Sequence, residues 1–337
     1  NADDVISITA PDKKNARYAE TVTASQLFTE VLDLFGKPSR RFYSLLASIA
    51  TDPKERAQLN HLVSAEGREE YRQRMLRTTT FFDVIQDFPS ANLPIPTLLD
   101  AVPQIKPRLY SIASSSRMHP DRIQLCVVLV DWEVPAKNDS TTTERRVGLC
   151  TGYLSRLSAG HGDAAPLVSC SVKPAVVHVP TDASAPLLMA GLGTGLAPFR
   201  GFIQERKMQK DAGETVGPTV LYFGARYRAK EFLYEDEFVA LHEEGVITDL
   251  RLAFSRDQAH KIYIQNKVEE DPQLVYDLLI KRNGFFYLCG PSRSVPADIR
   301  RAVEGALVTC GNMTPDQATK KIDELVANGH YNVEAWS

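Results

Sequence analysis

Residues 186–206, PLLMAGLGTGLAPFRGFIQER, pass from a short apolar run through Gly191, Gly193 and Gly195 into an amphipathic pattern. The run ends at Ala190. Pro198 falls in what would be the first turn of a helix, and Leu196, Phe199 and Ile203 share one helical face. The stretch therefore predicts strand, tight turn and helix. Glycines let a backbone approach a pyrophosphate closely, and a helix start presents unpaired N–H groups and the positive end of its dipole. The same turn can equally close a strand onto a helix with nothing bound. Because Leu196 stands where G-x-G-x-x-G has its third glycine, the motif alone does not decide between these readings.

The neighbouring segments do. After Asp182, PLLMA, TVLYFGA, LRLAFS and GFFYLCG are short apolar runs separated by helix-length amphipathic segments, the pattern of a parallel, doubly wound sheet. Such sheets collect ligand contacts at the carboxyl ends of their strands. One run ends with Arg226, and the next with Ser255 and Arg256, followed by Lys261, Tyr263 and Gln265. Cations, hydroxyls and an aromatic just beyond a phosphate turn suit a dianionic 2′-phosphate, where an NAD site would offer a carboxylate. A solvated surface cluster is the plain alternative, and the position of this one favours NADP(H). A further strand end, FYLCGPSRSVPADIRRAVEGAL (286–307), carries Cys289. Cysteine is among the most commonly buried residues, so a core role and a ligand-facing role both stand at this point.

The chain has 337 residues, more than a single core usually supports, so two domains are expected. With 43% hydrophobic and 24% charged residues it reads as globular, and a net charge of −3 offers no basic excess for nucleic acid. The five cysteines (Cys126, Cys150, Cys170, Cys289 and Cys310) are odd in number and lack a C-x-x-C pair. A disulfide framework and a zinc site are therefore not expected, and a reducing compartment is favoured. No apolar run approaches the roughly 20 residues that span a bilayer, and no membrane contact is expected from this segment. The sequence opens on Asn1 without a signal-like segment and reads as part of a longer polypeptide.

The first quarter is helical by pattern. Thr23-Ala24-Ser25-Gln26 offers a capping box, Phe28, Val31, Leu32 and Phe35 follow at helical spacing, and Gly36 is a stop. Further helices are predicted over about 40–50, 54–64 and 67–87. From about residue 107, RLYSIASS and IQLCVVLVDWEV read as strands, and 137–146 as a polar loop.

RLYSIASSS (108–116), GLCTGYLS (148–155), GLGTGLAPFRGFIQER (191–206), FSRDQAHKIYIQ (254–265), FYLCGPSR (286–293) and YNVEAWS (331–337) occur in an order that resembles the FAD/NADP(H) half of the diflavin reductases. The resemblance spans nearly the whole chain and extends to the family's cytochrome P450 reductase, sulfite reductase and pyruvate-oxidising members. It implies a mixed α+β and α/β architecture. An antiparallel FAD-binding β-barrel with a helical connecting insertion would be followed by a doubly wound parallel-sheet NADP-binding domain of the ferredoxin–NADP reductase kind. The corresponding segments are 1–98 for the connecting domain, 99–181 for the barrel and 182–337 for the NADP(H) domain.

Position by position, the resemblance gives Arg108 to the FAD pyrophosphate, Tyr110 to the isoalloxazine face and Ser111 to the neighbourhood of flavin N5. Gly148, Cys150 and Thr151 would hold the FAD pyrophosphate, and Trp132 falls where an aromatic stacks on adenine, although an ordinary half-buried strand tryptophan fits as well. Gly193, Thr194, Gly195 and Arg226 belong to the NADP phosphates, and Ser255, Arg256, Lys261, Tyr263 and Gln265 to the adenosine end. Cys289 would pack beside the nicotinamide with Ser111 and an acid, here Glu334 where the P450 reductases of the family carry Asp. Trp336 would cover the flavin ring.

The implied activity is hydride transfer from NADPH to FAD. Electrons would then pass to FMN on a further domain of the same polypeptide, and on to a haem or iron–sulfur acceptor. That FMN domain and the first barrel strands are not in this sequence. A nucleotide-binding module without turnover is the alternative of another class. The expected location is cytoplasmic, or the cytosolic face of a membrane through an upstream anchor, with a mitochondrial location also compatible.

Overall fold

A computed structural model describes residues 1–8, 21–136, 141–157 and 165–336. They fall into two compact units, one formed by Asn1–Leu109 with Leu129–Pro166 and the other by Tyr110–Val128 with Leu167–Ser337.

The first unit is mainly helical. Its two short antiparallel pairs are β1 (Val5–Ser7) with β2 (Thr21–Thr23), and β3 (Asp131–Pro135) with β4 (Thr143–Val147). Thr23 caps the following turn in a reciprocal box with Gln26, as its spacing predicts. The buried residues beyond it, however, are Leu27 and Leu32, while Phe28 and Phe35 are exposed. Residues Leu27–Val31 form a π-helical turn, and its wider winding rotates the apolar face away from the 3.6-residue period. Helices Arg40–Ile49 and Pro53–Val63 match expectation. The predicted helix over 67–87 is two helices, Arg68–Leu76 and Phe81–Asp87, because Thr78 adopts φ 52° and Thr80 starts the second with its own capping box to Asp83. Leu46, Leu59, Leu62, Phe81, Val84 and Phe88 are among the residues that close this core.

Of the polar loop expected over 137–146, residues 137–140 lie outside the described residues, while Thr143–Val147 are strand β4. Conversely, most of 107–130 is not strand. Only an isolated bridge, Ile112 to Leu125, pairs within it. Residues of this composition become a ladder only when partner strands satisfy their N–H and C=O groups. The barrel half is thus represented by short two-stranded pieces among the described residues, and Leu109, Ile123, Val128 and Val130 are more than half exposed.

The second unit contains the predicted sheet: β5 (Leu187–Leu192), β6 (Thr219–Ala225), β7 (Asp249–Phe254), β8 (Phe285–Pro291) and β9 (Tyr331–Trp336). All neighbours are parallel, in the order β7-β6-β5-β8-β9, so the chain reverses its direction of travel across the sheet beside β5. The two faces bury separate cores. Ile299, Val303 and Leu307 of helix Val295–Gly311 pack on one face, and Leu196, Phe199 and Ile203, the helical face read from the sequence, on the other. Strands covered on both faces must be continuously apolar, which is why Leu187–Ala190 and Phe286–Leu288 show no alternation. Among the described residues no helix is long and apolar enough to cross a membrane.

Candidate functional site

The glycine turn after β5 divides its labour. Gly193 has φ +54°, a conformation that L side chains rarely adopt, and a Cβ there would meet nothing within 4 Å, so this part of the turn faces open space. Gly191 lies against Leu196, where a Cβ would come 3.1 Å from backbone atoms. Gly195 is the tightest: a Cβ there would stand 2.1 Å from the Cys289 carbonyl oxygen and 3.0 Å from Cη2 of Trp336. The glycines thus seat the turn on β8, with Thr194 between Gly193 and Gly195 in the 3-10 turn Gly193–Leu196. The helix Ala197–Asp211 starts directly behind it. An anionic diphosphate fits this donor set.

Beside the turn, the register of β8 and β9 places Cys289 opposite Glu334. Cys289 Sγ is 3.8 Å from Glu334 Oε2, and Ser111 Oγ donates to Oε1 of the same carboxylate at 3.4 Å. Cys289 is buried, at 1% exposure. Burial, with the Glu334 carboxylate second, pushes its thiol well above the ordinary range, so the sulfur is a protonated neighbour and not a thiolate. Trp336 ends β9, its carbonyl accepts from the N–H of Ser292 at 2.7 Å, and its side chain is part exposed. Four residues separated by up to 225 positions in the chain, Ser111, Cys289, Glu334 and Trp336, are therefore gathered with Gly195 at the carboxyl ends of β5 and β8.

The carboxyl ends of β6 and β7 carry the expected cations. The N–H of Ser255 donates to the Ala225 carbonyl at 3.0 Å and that of Arg256 to the Arg226 carbonyl at 2.9 Å, which draws the two strand-end loops together. Arg226 is not idle: its Nε donates to Glu231 Oε1 at 2.8 Å and its backbone N–H to Oε2 at 2.7 Å. The Arg256 guanidinium carbon stands 5.9 Å from the Tyr227 ring centre. Lys261 and Tyr263 are exposed, and Tyr263 with Gln265 flank the start of helix Ile264–Glu269.

Within the first unit, Gly148 caps helix Leu149–Arg156, whose first turn holds Cys150 and Thr151. The Gly148 N–H donates to the Val130 carbonyl at 2.8 Å, and the Val130 N–H to Thr151 Oγ1 at 3.2 Å. A Cβ at Gly148 would fall 2.9 Å from that hydroxyl, so only glycine keeps this cradle. Trp132 is half-buried on β3, opposite Arg146 of β4. Arg108 lines a shallow cavity with Asp33, Lys37 and Lys106, and donates to the Lys106 carbonyl. Tyr110 and Ser111, in contrast, belong to the second unit.

Sequence reasoning missed three features. Strand β9, which brings Glu334 beside Cys289, lacks the continuous apolar run of the other strands, since Asn332 and Glu334 interrupt it. Glu231 as partner of Arg226 had only its proximity in sequence as a signal. The polar residues Arg200, Gln204 and Arg206 are buried on the helix Ala197–Asp211, and the signal for them was charge and amide interrupting an apolar helix.

Two family models match the chain in tandem: an FAD binding domain over residues 1–153 and an oxidoreductase NAD-binding domain over residues 188–297. Among curated proteins, the chain is 37% identical to pyruvate dehydrogenase [NADP(+)] of Cryptosporidium parvum over 97% of its own length and 18% of that protein's. It is 38% identical to the sulfite reductase [NADPH] flavoprotein component of Saccharomyces cerevisiae, over 91% of the chain and 28% of the relative. With NADPH–cytochrome P450 reductase of Drosophila melanogaster the identity is 34%, over 92% and 45% respectively. The chain spans less than half the length of each of these three relatives. A glycine turn and a Ser–Cys–acid cluster beside it thus stand in a chain that matches an FAD binding domain and an oxidoreductase NAD-binding domain in tandem, and that is similar over nine-tenths or more of its length to a sulfite reductase [NADPH] flavoprotein component and an NADPH–cytochrome P450 reductase.

Proposed function

We propose that this chain is the electron-input half of a diflavin reductase, which takes a hydride from NADPH onto FAD. The observation that carries this reading is the convergence of Ser111, Cys289, Glu334 and Trp336 beside the Gly193–Leu196 turn. When bound, FAD supplies the conversion of a two-electron hydride into single electrons.

The chain's own residues then bind, orient and exclude. Thr194 and Arg226 serve the coenzyme phosphates, with Arg226 exchanging the Glu231 carboxylate for a phosphate. Ser255, Arg256, Lys261, Tyr263 and Gln265 serve the adenosine end and its 2′-phosphate. Arg108, Tyr110, Ser111, Trp132, Gly148, Cys150 and Thr151 serve the flavin. Cys289 gives the nicotinamide a compact apolar neighbour that stays protonated, and Glu334 holds both Ser111 and Cys289 in place. Orientation of this kind supplies much of the rate in a transfer that needs no covalent help from the protein. The functional segments follow as 1–98 for the connecting region, 99–181 for FAD and 182–337 for NADP(H).

Electrons leave through FMN on a further domain of the same polypeptide, toward a haem or iron–sulfur acceptor. Relatives of similar identity bear different names, a pyruvate dehydrogenase [NADP(+)], a sulfite reductase [NADPH] flavoprotein component and an NADPH–cytochrome P450 reductase, and what the three names share is the NADP coenzyme. The test is direct. Protein isolated from its full-length polypeptide should release FAD on denaturation, and NADPH added anaerobically should bleach the flavin absorbance. Flavin-loaded protein that NADPH leaves oxidised would support a nucleotide-binding module without turnover.

A further inference from the structure

The helix Ala197–Asp211 begins at the glycine turn, and its polar side chains grip the segment that begins with Tyr110 and Ser111. Arg200 is 9% exposed. Its Nη1 donates to the Ala113 carbonyl at 2.7 Å and to Gln124 Oε1 at 2.6 Å, and its Nε to Glu237 Oε2 at 2.7 Å. The guanidinium lies 4.5 Å from the centre of the Tyr234 ring. One turn on, Gln204 accepts from the N–H of Ser115 at 3.1 Å and donates to Glu237 at 2.9 Å, and Glu205 accepts from Ser115 Oγ at 2.6 Å. Between them Gly201 lets the chain pass so closely that a Cβ would stand 3.2 Å from Ser114 backbone atoms.

Side-chain bonds carry the placement of this segment: besides Arg200, Gln204 and Glu205 hold Ser115, and Arg117 pairs with Glu205 and Glu214. Its ladder is a single bridge, Ile112 to Leu125, with the Ala113 N–H donating to Gln124. Buried charges are costly unless paired, and a planar fork fixes several acceptors at once where an ammonium would not. At the start of the segment, Ser111 reaches Glu334 through a bond already 3.4 Å long, so a small shift breaks it.

We propose that Arg200 is a positioning residue for hydride transfer: it fixes residues 111–115 to the helix behind the phosphate turn and thereby holds Ser111 at the Glu334–Cys289 pair. The inference rests on the proposed function and adds to it a residue that need touch neither cofactor. A displacement of about 1 Å can cost on the order of 100-fold in rate with binding little changed.

The experiment uses flavin-loaded full-length protein with Arg200→Lys, which keeps the charge facing Glu237 and loses the fork, and with Gln124→Met, which leaves the Arg200–Glu237 pair intact. Anaerobic stopped-flow flavin reduction is measured with NADPH and with NADPH deuterated at C4, alongside NADP⁺ affinity and thermal melting. Both variants should bind NADP⁺ within about twofold of wild type. They should reduce flavin about 10-fold or more slowly, with a larger isotope effect as transfer becomes more rate-limiting. Reduction at the wild-type rate, or slowed only in proportion to flavin lost, would overturn the assignment of Arg200. If the flavin-loaded wild type is itself not reduced by NADPH, the proposed function falls, and the role of Arg200 falls with it.

Discussion

Cys289 and Glu334 face each other in register across the parallel strands β8 and β9, with Sγ 3.8 Å from Oε2. The pair makes sense of a cysteine at a strand end: the sulfur has a fixed acceptor, and the acceptor also holds Ser111. Because the proposed role is positional, Cys289→Ala should slow flavin reduction by about 10- to 100-fold while NADP⁺ affinity changes little. Stopped-flow reduction beside a binding titration checks this. Normal transfer with a lowered melting temperature would make Cys289 a core residue only.

The same geometry predicts chemical inertness. Burial and the Glu334 carboxylate both disfavour the Cys289 thiolate, so its folded-state pKa lies above the unfolded one. The stabilisation linked to this proton is fully present below the unfolded value and is lost as pH rises through the folded value. At about pH 8, iodoacetamide should therefore modify exposed Cys170 and spare Cys289 in the folded protein. Peptide mapping distinguishes the two sites, and early alkylation of Cys289 would contradict the assigned environment.

Two glycine substitutions should have opposite signs. Gly195→Ala drives a Cβ into the Cys289 carbonyl, and overpacking of this kind costs about 1–3 kcal/mol. Gly305 sits in helix Val295–Gly311 with nothing within 4 Å of its Cβ position, so Gly305→Ala should stabilise by about 0.5–1 kcal/mol. Thermal melts of both variants test the packing of the turn, and a neutral Gly195→Ala would refute it.

The legible parts of this chain were those governed by local pattern. Strand Thr219–Ala225 and the helical face of Leu196, Phe199 and Ile203 could be read because continuous apolar runs and a 3.6-residue period have few alternative explanations. The capping box at Thr23 was legible for the same reason. The misread parts depend on partners. Residues 107–130 have strand composition without a ladder to join, and Leu27–Val31 shifts its buried face by winding more widely than an α-helix. In the site, Cys289 was visible as a cysteine at a strand end, and Trp336 came through the resemblance. Arg200 was not visible, since its role rests on contacts with Ala113 and Gln124, 87 and 76 positions away.

Trp336 touches the turn at Gly195 and is 41% exposed, a position from which its ring can leave. If it occupies the space a nicotinamide must enter, its stacking of about 0.5–1.5 kcal/mol opposes both coenzymes equally. The weaker binder should gain visibly when that barrier goes, so Trp336→Ala should raise NADH activity about 2- to 10-fold and tighten NADP⁺ retention. Steady-state rates with NADH and product inhibition by NADP⁺ are the readouts. Wholesale loss of FAD with unchanged coenzyme preference would make Trp336 a structural prop.

Most directly, single-turnover flavin reduction can be compared with NADPH and NADH in the wild type and in the Arg256→Ala/Lys261→Ala double variant. Charged hydrogen bonds contribute about 1.5–3 kcal/mol each, so the double variant should lose at least ~100-fold in NADPH kcat/KM and almost nothing with NADH. Wild-type flavin should be bleached by NADPH within the mixing experiment. Equal losses with the two coenzymes, or a flavin-loaded wild type that NADPH leaves oxidised, would contradict the account.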